Sequence, residues 1–571
     1  MSRTKKLPTI EAFYSNLSEE TISPEDHLFA CKVWKTFGCK NLLDYTELYC
    51  KIDTILLAEI FQKFRKDMHK FSELDPANYI SLPSFSFDMM LKLTKCKIEL
   101  PQDINMVHFF ESGIRGGMSF INTRHLKVEN KSEDIFYIDA NNLYGFAQMS
   151  LLPYSNFKWL KEKTYQSADW SKVKTEGDKG YILEVDLEYP QKYHIAHDNF
   201  PLAPENIEIS TENLSPYAKK ALEQCSGTTK YKDTKLSATF HDRKNYIIHF
   251  KNLKLYLSLG MKLTKIHRVV EFKQKNFISP FINKCTSERQ KAVTKFEQDQ
   301  FKKLANSTYG KTIQNVRNYI NVKLHTNLNT LQKAIACHTF KNFVILADNL
   351  VQTNHFTPNI IHDKPLFVGF TILELSKHIM YDFYYNTLQK NDNTFQTDLG
   401  FSDTDSFLFK TNDKQKCLDH LKPVMDFSNY PLNHSLYNPI NKSKLGYFKD
   451  ELGGQQICKE FIGLRAKCYA LKLKDKKSST EKKVCKGLGR LAIKNRLKFS
   501  HYKNCLKSQK TYRFHYNAIK SAKQHVTTVR INKKALSHFD SKRWIFNCGI
   551  HSAPYGSILI DNHYDKCPKC K

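Results

Sequence analysis

Glycine and proline are scarce in this 571-residue chain, at 20 and 18 residues. Collagen-like, linker-rich and low-complexity architectures are thereby excluded. No apolar run reaches the roughly 18 residues that a membrane span needs, so no membrane partner is expected. The basic stretch Met1–Thr9 has no apolar segment behind it, so the sequence reads as a protein that is not secreted, placed in the nucleus or cytoplasm of a host cell. Acidic residues are outnumbered, 57 against 88 Lys plus Arg, leaving a net charge of +31.

What is present is apolar and basic. Apolar residues make up 41% and aromatics 13%, enough for large cores, and at roughly 150 residues per domain the length suggests three to five lobes. A strongly positive field attracts polyanions, of which nucleic acid is the default. A Lys-rich surface from a biased genome is the bland alternative. The 15 cysteines are scattered and read as reduced thiols. One group is suggestive: Cys567-Pro-Lys-Cys570, with Cys548, His551 and His563 upstream. Half a zinc knuckle and a frayed tail both fit it.

Along the chain, Leu48, Ile52, Ile55, Leu56, Ile60 and Phe64 recur at helical spacing within 25–70. Residues 110–118 read as a tight basic turn, 135–138 as a strand ending at Asp139, and Tyr181–Leu187 as another. Tyr246–Leu259 reads as a helix capped by Gly260, Leu263–Phe272 as a strand, and Phe281–Gln314 as a long, basic, mostly helical stretch. A further helix is expected over Phe370–Leu388, a hairpin over Phe401–Phe409, and a Lys-rich loop within 472–498, centred on Lys476-Lys-Ser-Ser-Thr-Glu.

Three segments carry chemistry. In Phe401-Ser-Asp403-Thr-Asp405-Ser, two carboxylates flank a turn between β-formers. Like charges this close repel unless a divalent cation lies between them; an ordinary polar turn is the alternative. Asp139 follows an apolar strand, with Tyr144 five residues on. Three acids on neighbouring strands make the core of a two-metal site, and hard oxygen ligands suit Mg²⁺, with Mn²⁺ as a substitute. Between them, Lys302, Asn306 and Tyr309 share a helix face that Lys295 and Lys291 extend. Such a stripe can grip a triphosphate; a solvated basic helix is the competing reading.

In this order, Asp139-x-x-x-Leu-Tyr144, Lys302-x-x-x-Asn306-Ser-x-Tyr309-Gly310 and Asp403-Thr-Asp405-Ser resemble motifs A, B and C of family B DNA polymerases. Ile114-Arg115-Gly116-Gly117 resembles the Tyr-x-Gly-Gly element of the protein-primed branch, with Ile for Tyr. Leu464-Arg-Ala-Lys467-Cys-Tyr469 resembles its Lys-x-Tyr element. Flanks such as Leu373-Glu-Leu-Ser-Lys-His-Ile-Met-Tyr381 and Pro201-Leu-Ala-Pro-Glu205 look like those of Polinton (Maverick) transposon polymerases. The resemblance runs from about Leu7 to Gly556.

The resemblance implies an α+β right-hand fold with an N-terminal remnant of a ribonuclease H-like 3′–5′ exonuclease domain. It divides the chain into 1–105 (exonuclease remnant), 106–154 (palm with motif A), 155–240 (an insertion resembling terminal-protein region 1) and 241–314 (palm edge and fingers). A second insertion at 315–360, palm again at 361–471 and a thumb at 472–571 complete it. Asp139, Asp403 and Asp405 would ligate the metals and Lys302 would grip the triphosphate. Tyr144, Arg289, Asn306 and Tyr309 would line the nucleotide pocket. Arg115, Gly116, Gly117, Lys467 and Tyr469 would contact primer and template. Gln298 stands where the family has another lysine. The partners implied are primer–template DNA, dNTPs and a terminal priming protein. Tyr49 and Asp53 resemble a vestigial exonuclease motif, with no Asp-x-Glu pair upstream, so proofreading is expected to be lost and the chain to be N-terminally incomplete. Two other readings stand beside this: an inactive nucleic-acid-binding relic, and an RNA-making palm enzyme, which Tyr144 as a sugar gate argues against.

Overall fold

The computed structural model describes residues 4–475, 479–522, 525–562 and 567–570. At its centre is a six-stranded sheet of β1 (Ser119–Ile121), β2 (Asp134–Ala140), β3 (Thr397–Asp403), β4 (Ser406–Thr411), β5 (Met425–Asp426) and β6 (Phe448–Asp450), in the order β1-β3-β4-β2-β6-β5. All neighbours are antiparallel except β5 and β6. Side chains alternate across a strand, and here both faces are covered. Phe136, Ile138, Phe407 and Phe409 enter one apolar cluster, while Ile135, Tyr137 and Leu408 enter another.

The first face packs against the C-terminal part of the helix α3 (Leu366–Asp382) and its continuation, through Met380, Tyr381 and Phe383. Apolar all round, α3 is buried nearly end to end, as a helix without a polar face must be. Its one charged pair, Glu374 with Lys377 at 3.3 Å, is kept by further bonds: Lys377 Nζ donates to the Arg115 carbonyl at 2.9 Å and Asn252 to Glu374.

The basic, mostly helical stretch is two helices, so Lys291 does not extend the helix face of Lys302 as expected. Helix α1 (Ser279–Lys291) stops at Ala292, and α2 (Lys295–Thr312) restarts behind a capping box in which Thr294 and Glu297 satisfy each other's backbone N–H groups. Gln298 spans the break, its Nε2 donating to the Ala292 carbonyl at 3.0 Å. Helix α2 is pinned by the helix Leu82–Thr94, whose buried Ser86 bonds both the Leu304 carbonyl and Thr308 Oγ1 at 2.6 Å.

Two further expectations are corrected. Tyr246–Leu259 begins as the strand Arg243–His249 and becomes helical only over Phe250–Ser258; the run Tyr246-Ile-Ile-His pairs with Lys179–Glu188 in a four-stranded sheet. The Lys-rich loop within 472–498 holds the strand Ser479–Cys485 and the helix Arg490–Arg496. Lys476, Lys477 and Ser478 lie outside the described residues. The helix Leu42–Ser72 forms as expected, capped by Asn41. Its apolar row, including Ile55, Leu56, Leu57 and Ile60, is exposed. Among the described residues, no helix is long and apolar enough to cross a membrane.

Candidate active site

The site is built where the β3–β4 hairpin turns. Thr404 sits at its tip with φ 67°, an uncommon conformation for a β-branched residue. It is held there because its N–H donates to the Met118 carbonyl at 2.6 Å and the Asp405 N–H to the Asp403 carbonyl at 2.8 Å. Gly117 makes room for it: a Cβ on Gly117 would lie 2.5 Å from Thr404 Cγ2. A Cβ on Gly116 would meet nothing within 4 Å. The two glycines of the expected turn therefore do different work, one against the hairpin and one facing open space.

Strand pairing sets the carboxylates side by side. Asp139 is opposite Ser406, and the Ala140 N–H donates to the Asp405 carbonyl at 2.8 Å. Burial first, and then the charge of Asp405, push the Asp139 carboxyl up to about 7; Glu451 adds to this, while Lys449 and Lys302 oppose it. Asp405 is also raised, by burial and then by Asp403, against Lys467 and Lys302. Asp403 Oδ1 is buried without a hydrogen bond, though the Lys467 ammonium lies 3.0 Å away as an ion pair outside hydrogen-bonding geometry. Crowded carboxylates that raise one another fit a divalent cation. Among the described residues the three do not bring their ligand atoms within 4.8 Å of one another.

Above the carboxylates lies an aromatic floor. The helix Leu143–Gln148 starts at Asn142, which takes φ 49° and caps Gly145 N. Tyr144 in this helix stacks on Tyr309 of α2, with centroids 4.4 Å apart and planes 17° from parallel. Burial raises both phenols. The Gln148 amide ties the two helices by donating to the Ala305 carbonyl at 3.1 Å. Asn306, one turn before Tyr309, has a buried Oδ1 without a hydrogen bond. Lys302 is exposed on α2, within electrostatic reach of both Asp139 and Asp405, and Arg289 is half-buried on α1.

Some expected site residues lie elsewhere. Arg115 is 7% exposed, its guanidinium 3.8 Å from the Tyr246 ring centroid and bonded to the Ile247 carbonyl. Tyr469 is 4% exposed; it packs on Phe401 at 4.5 Å and shares a 3.1 Å hydrogen bond with Tyr137. Both are packed among protein groups. Tyr49 and Asp53 lie on the exposed helix Leu42–Ser72, Tyr49 being 62% exposed. Glu451 was missed by sequence reasoning. It follows β6, pairs with Lys449 and Lys482, donates its N–H to the Tyr137 carbonyl at 2.8 Å, and raises Asp139. No local motif signals it.

The fold is mixed α/β, with carboxylates paired on a central antiparallel hairpin and Lys302 of α2 within electrostatic reach of them. Residues 32–399 match the family model described as DNA polymerase type B, organellar and viral, and the chain belongs to that family. No curated protein sequence matches it. Among solved structures it is similar to Phi29 DNA polymerase complexed with primer–template DNA, at 15% identity and a TM-score of 0.50, covering 90% of this chain and 73% of that one. The ternary complex of Phi29 DNA polymerase with primer–template DNA and incoming nucleotide substrates matches at 14% identity, with the same TM-score and coverage. The fold is thus of the Phi29 polymerase kind.

Proposed function

We propose that the chain is a DNA-directed DNA polymerase that adds dNMPs to a primer 3′-hydroxyl by two-metal catalysis. The observation that carries this reading is the register that sets Asp139 opposite Ser406, one residue from Asp405, in a half-buried and mutually repelling pair. Two Mg²⁺ ions held by Asp139 and Asp405, with Asp403 beside them, would activate the hydroxyl and neutralise the departing pyrophosphate. Lys302 binds the triphosphate, Arg289 assists from α1, and Asn306 and Tyr309 line the base-pair pocket. Tyr144, stiffened by its stack on Tyr309, lies under the sugar and excludes a 2′-hydroxyl. Gly116 lets the DNA backbone approach, Gly117 makes room for the hairpin tip, Lys467 contacts the primer, and Arg115 and Tyr469 hold their neighbours in place.

In this reading the six-stranded sheet is the palm, α1 and α2 are the fingers, and 472–571 is the thumb, with insertions at 155–240 and 315–360. The Arg115-Gly-Gly and Lys467-x-Tyr elements support protein priming, with a terminal protein as partner, and the flanking motifs support a Polinton-like mobile element replicating in a host nucleus or cytoplasm. Tyr49 and Asp53, exposed on the helix Leu42–Ser72, are read as the vestige of an exonuclease motif that no longer proofreads.

Primer extension on a recessed-end duplex tests the reading. The wild-type chain extends with dNTPs, discriminates against NTPs, and releases no dNMP from the primer end; Asp405→Ala abolishes extension. DNA binding without extension by the wild-type chain would instead make it an inactive relic.

A further inference from the structure

Outside the polymerase site, four metal-ligating side chains converge. Cys548, His551, Cys567 and Cys570 bring their ligand atoms within 4.8 Å of one another. The three sulfurs lie 3.6, 3.4 and 3.5 Å from one atom, His551 Nδ1. A single ring nitrogen can donate or accept one hydrogen bond, not three, so a hydrogen-bond network does not account for the arrangement. A tetrahedral ion does. With Zn–S near 2.3 Å and Zn–N near 2.05 Å, tetrahedral angles put each sulfur about 3.6 Å from the nitrogen.

The backbone is shaped for ligation as well. The ligands come as Cys-x-x-His and Cys-x-x-Cys, with 15 residues between the pairs, a spacing typical of zinc sites. Gly549, at φ 70°, turns the first pair, and its N–H donates to the Phe546 carbonyl at 2.9 Å. The N–H groups of Ile550 and His551 both approach Cys548 Sγ at 3.4 Å, the outer support that a metal-bound thiolate receives. In the second pair the Cys570 N–H approaches the Cys567 carbonyl at 3.4 Å. Between these cysteines, Lys569 reaches Asp198 and the Ser552 carbonyl. His563 lies outside the described residues and is not needed for four-fold ligation.

We propose that Cys548, His551, Cys567 and Cys570 bind one structural Zn²⁺ that clasps the C-terminal segment to the polymerase body. Three thiolates and an imidazole leave no open position, so the site is structural and takes no part in nucleotide transfer. The hairpin carrying the first pair rests on the segment after β1: Ser552 Oγ donates to the Asn122 carbonyl at 2.7 Å, and Arg124 bonds the Ile550 and Gly549 carbonyls. Ser119, in that strand, faces Asp403. The ion would therefore steady the strand beside the metal-binding acids of the active site.

Elemental analysis of the full chain, purified without chelator, should find about one zinc per chain. Cys567→Ser, Cys570→Ser and His551→Ala should lose it. His551→Cys should keep it by completing a four-thiolate site, and Cys337→Ser, an exposed cysteine outside the cluster, should leave it unchanged. Cobalt reconstitution of the wild-type chain should give the intense visible bands of tetrahedral thiolate ligation, which decides the matter even where a variant fails to fold. A folded wild-type chain with background zinc and no such bands, or a Cys567–Cys570 disulfide in its place, would overturn the proposal.

Discussion

Gly117→Ala should damage catalysis far more than its size suggests. The added methyl would lie 2.5 Å from Thr404 Cγ2, whereas ordinary contact begins at 3.4 Å. Thr404 has little freedom to retreat, being a hairpin tip at φ 67° fixed by the bond to Met118. The hairpin must therefore shift by roughly 1 Å, carrying Asp403 and Asp405 with it, and a misplacement of that size costs about 10²-fold in rate. Overpacking should also remove about 1–3 kcal/mol of stability. Single-turnover dNTP incorporation would read the first effect and denaturant unfolding the second. Gly116→Ala is the paired comparison. Its methyl meets open space, so stability should hold, and any loss should appear in DNA affinity. Thr404→Ser removes the clashing methyl, so Gly117→Ala/Thr404→Ser should recover part of the rate, a coupling that a double-mutant cycle measures. Gly117→Ala with a rate within twofold of wild type would refute the packing argument.

Further outcomes follow from the same geometry. Arg115→Ala should destabilise the fold by about 3 kcal/mol, since it strips a buried guanidinium from its partners; a normal Tm with a shallower salt dependence of DNA binding would mark Arg115 as a phosphate contact instead. Tyr144→Ala should relax sugar selection, raising the NTP-to-dNTP ratio of kcat/KM by roughly tenfold or more, a change of about 1.4 kcal/mol. The uncovered apolar row of the helix Leu42–Ser72 should bind a surface-sensitive dye, and Ile55→Lys with Leu57→Lys should reduce that signal while changing stability by under about 1 kcal/mol.

The parts of the site legible in the sequence are those where local pattern and tertiary role agree. The β3–β4 hairpin announced itself by β-formers around an acidic tip, and Asp139 by its place after an apolar strand. What was misread turned on competing periods or distant partners. Tyr246-Ile-Ile-His satisfies helix and strand patterns alike, and the neighbouring strand Lys179–Glu188 decided for strand. The break at Ala292 lacks Gly or Pro, yet the Thr294/Glu297 capping box was a readable restart signal. Ser479–Cys485 is Lys-rich and looks like a loop; pairing with Cys468–Lys474 makes it a strand. An arginine beside two glycines reads as a phosphate ligand, and only the fold reveals Tyr246 beneath it. The Cys548–Cys570 cluster was half visible, because nothing local says that the two pairs meet.

The most direct test of the central claim is single-turnover nucleotide incorporation with Asp139→Asn and Asp405→Asn, each keeping the side-chain shape and removing the charge. Each variant should lose about 10³-fold or more, some 4 kcal/mol of transition-state stabilisation, with primer–template affinity held within a few-fold. Incorporation within tenfold of wild type in either variant would contradict it.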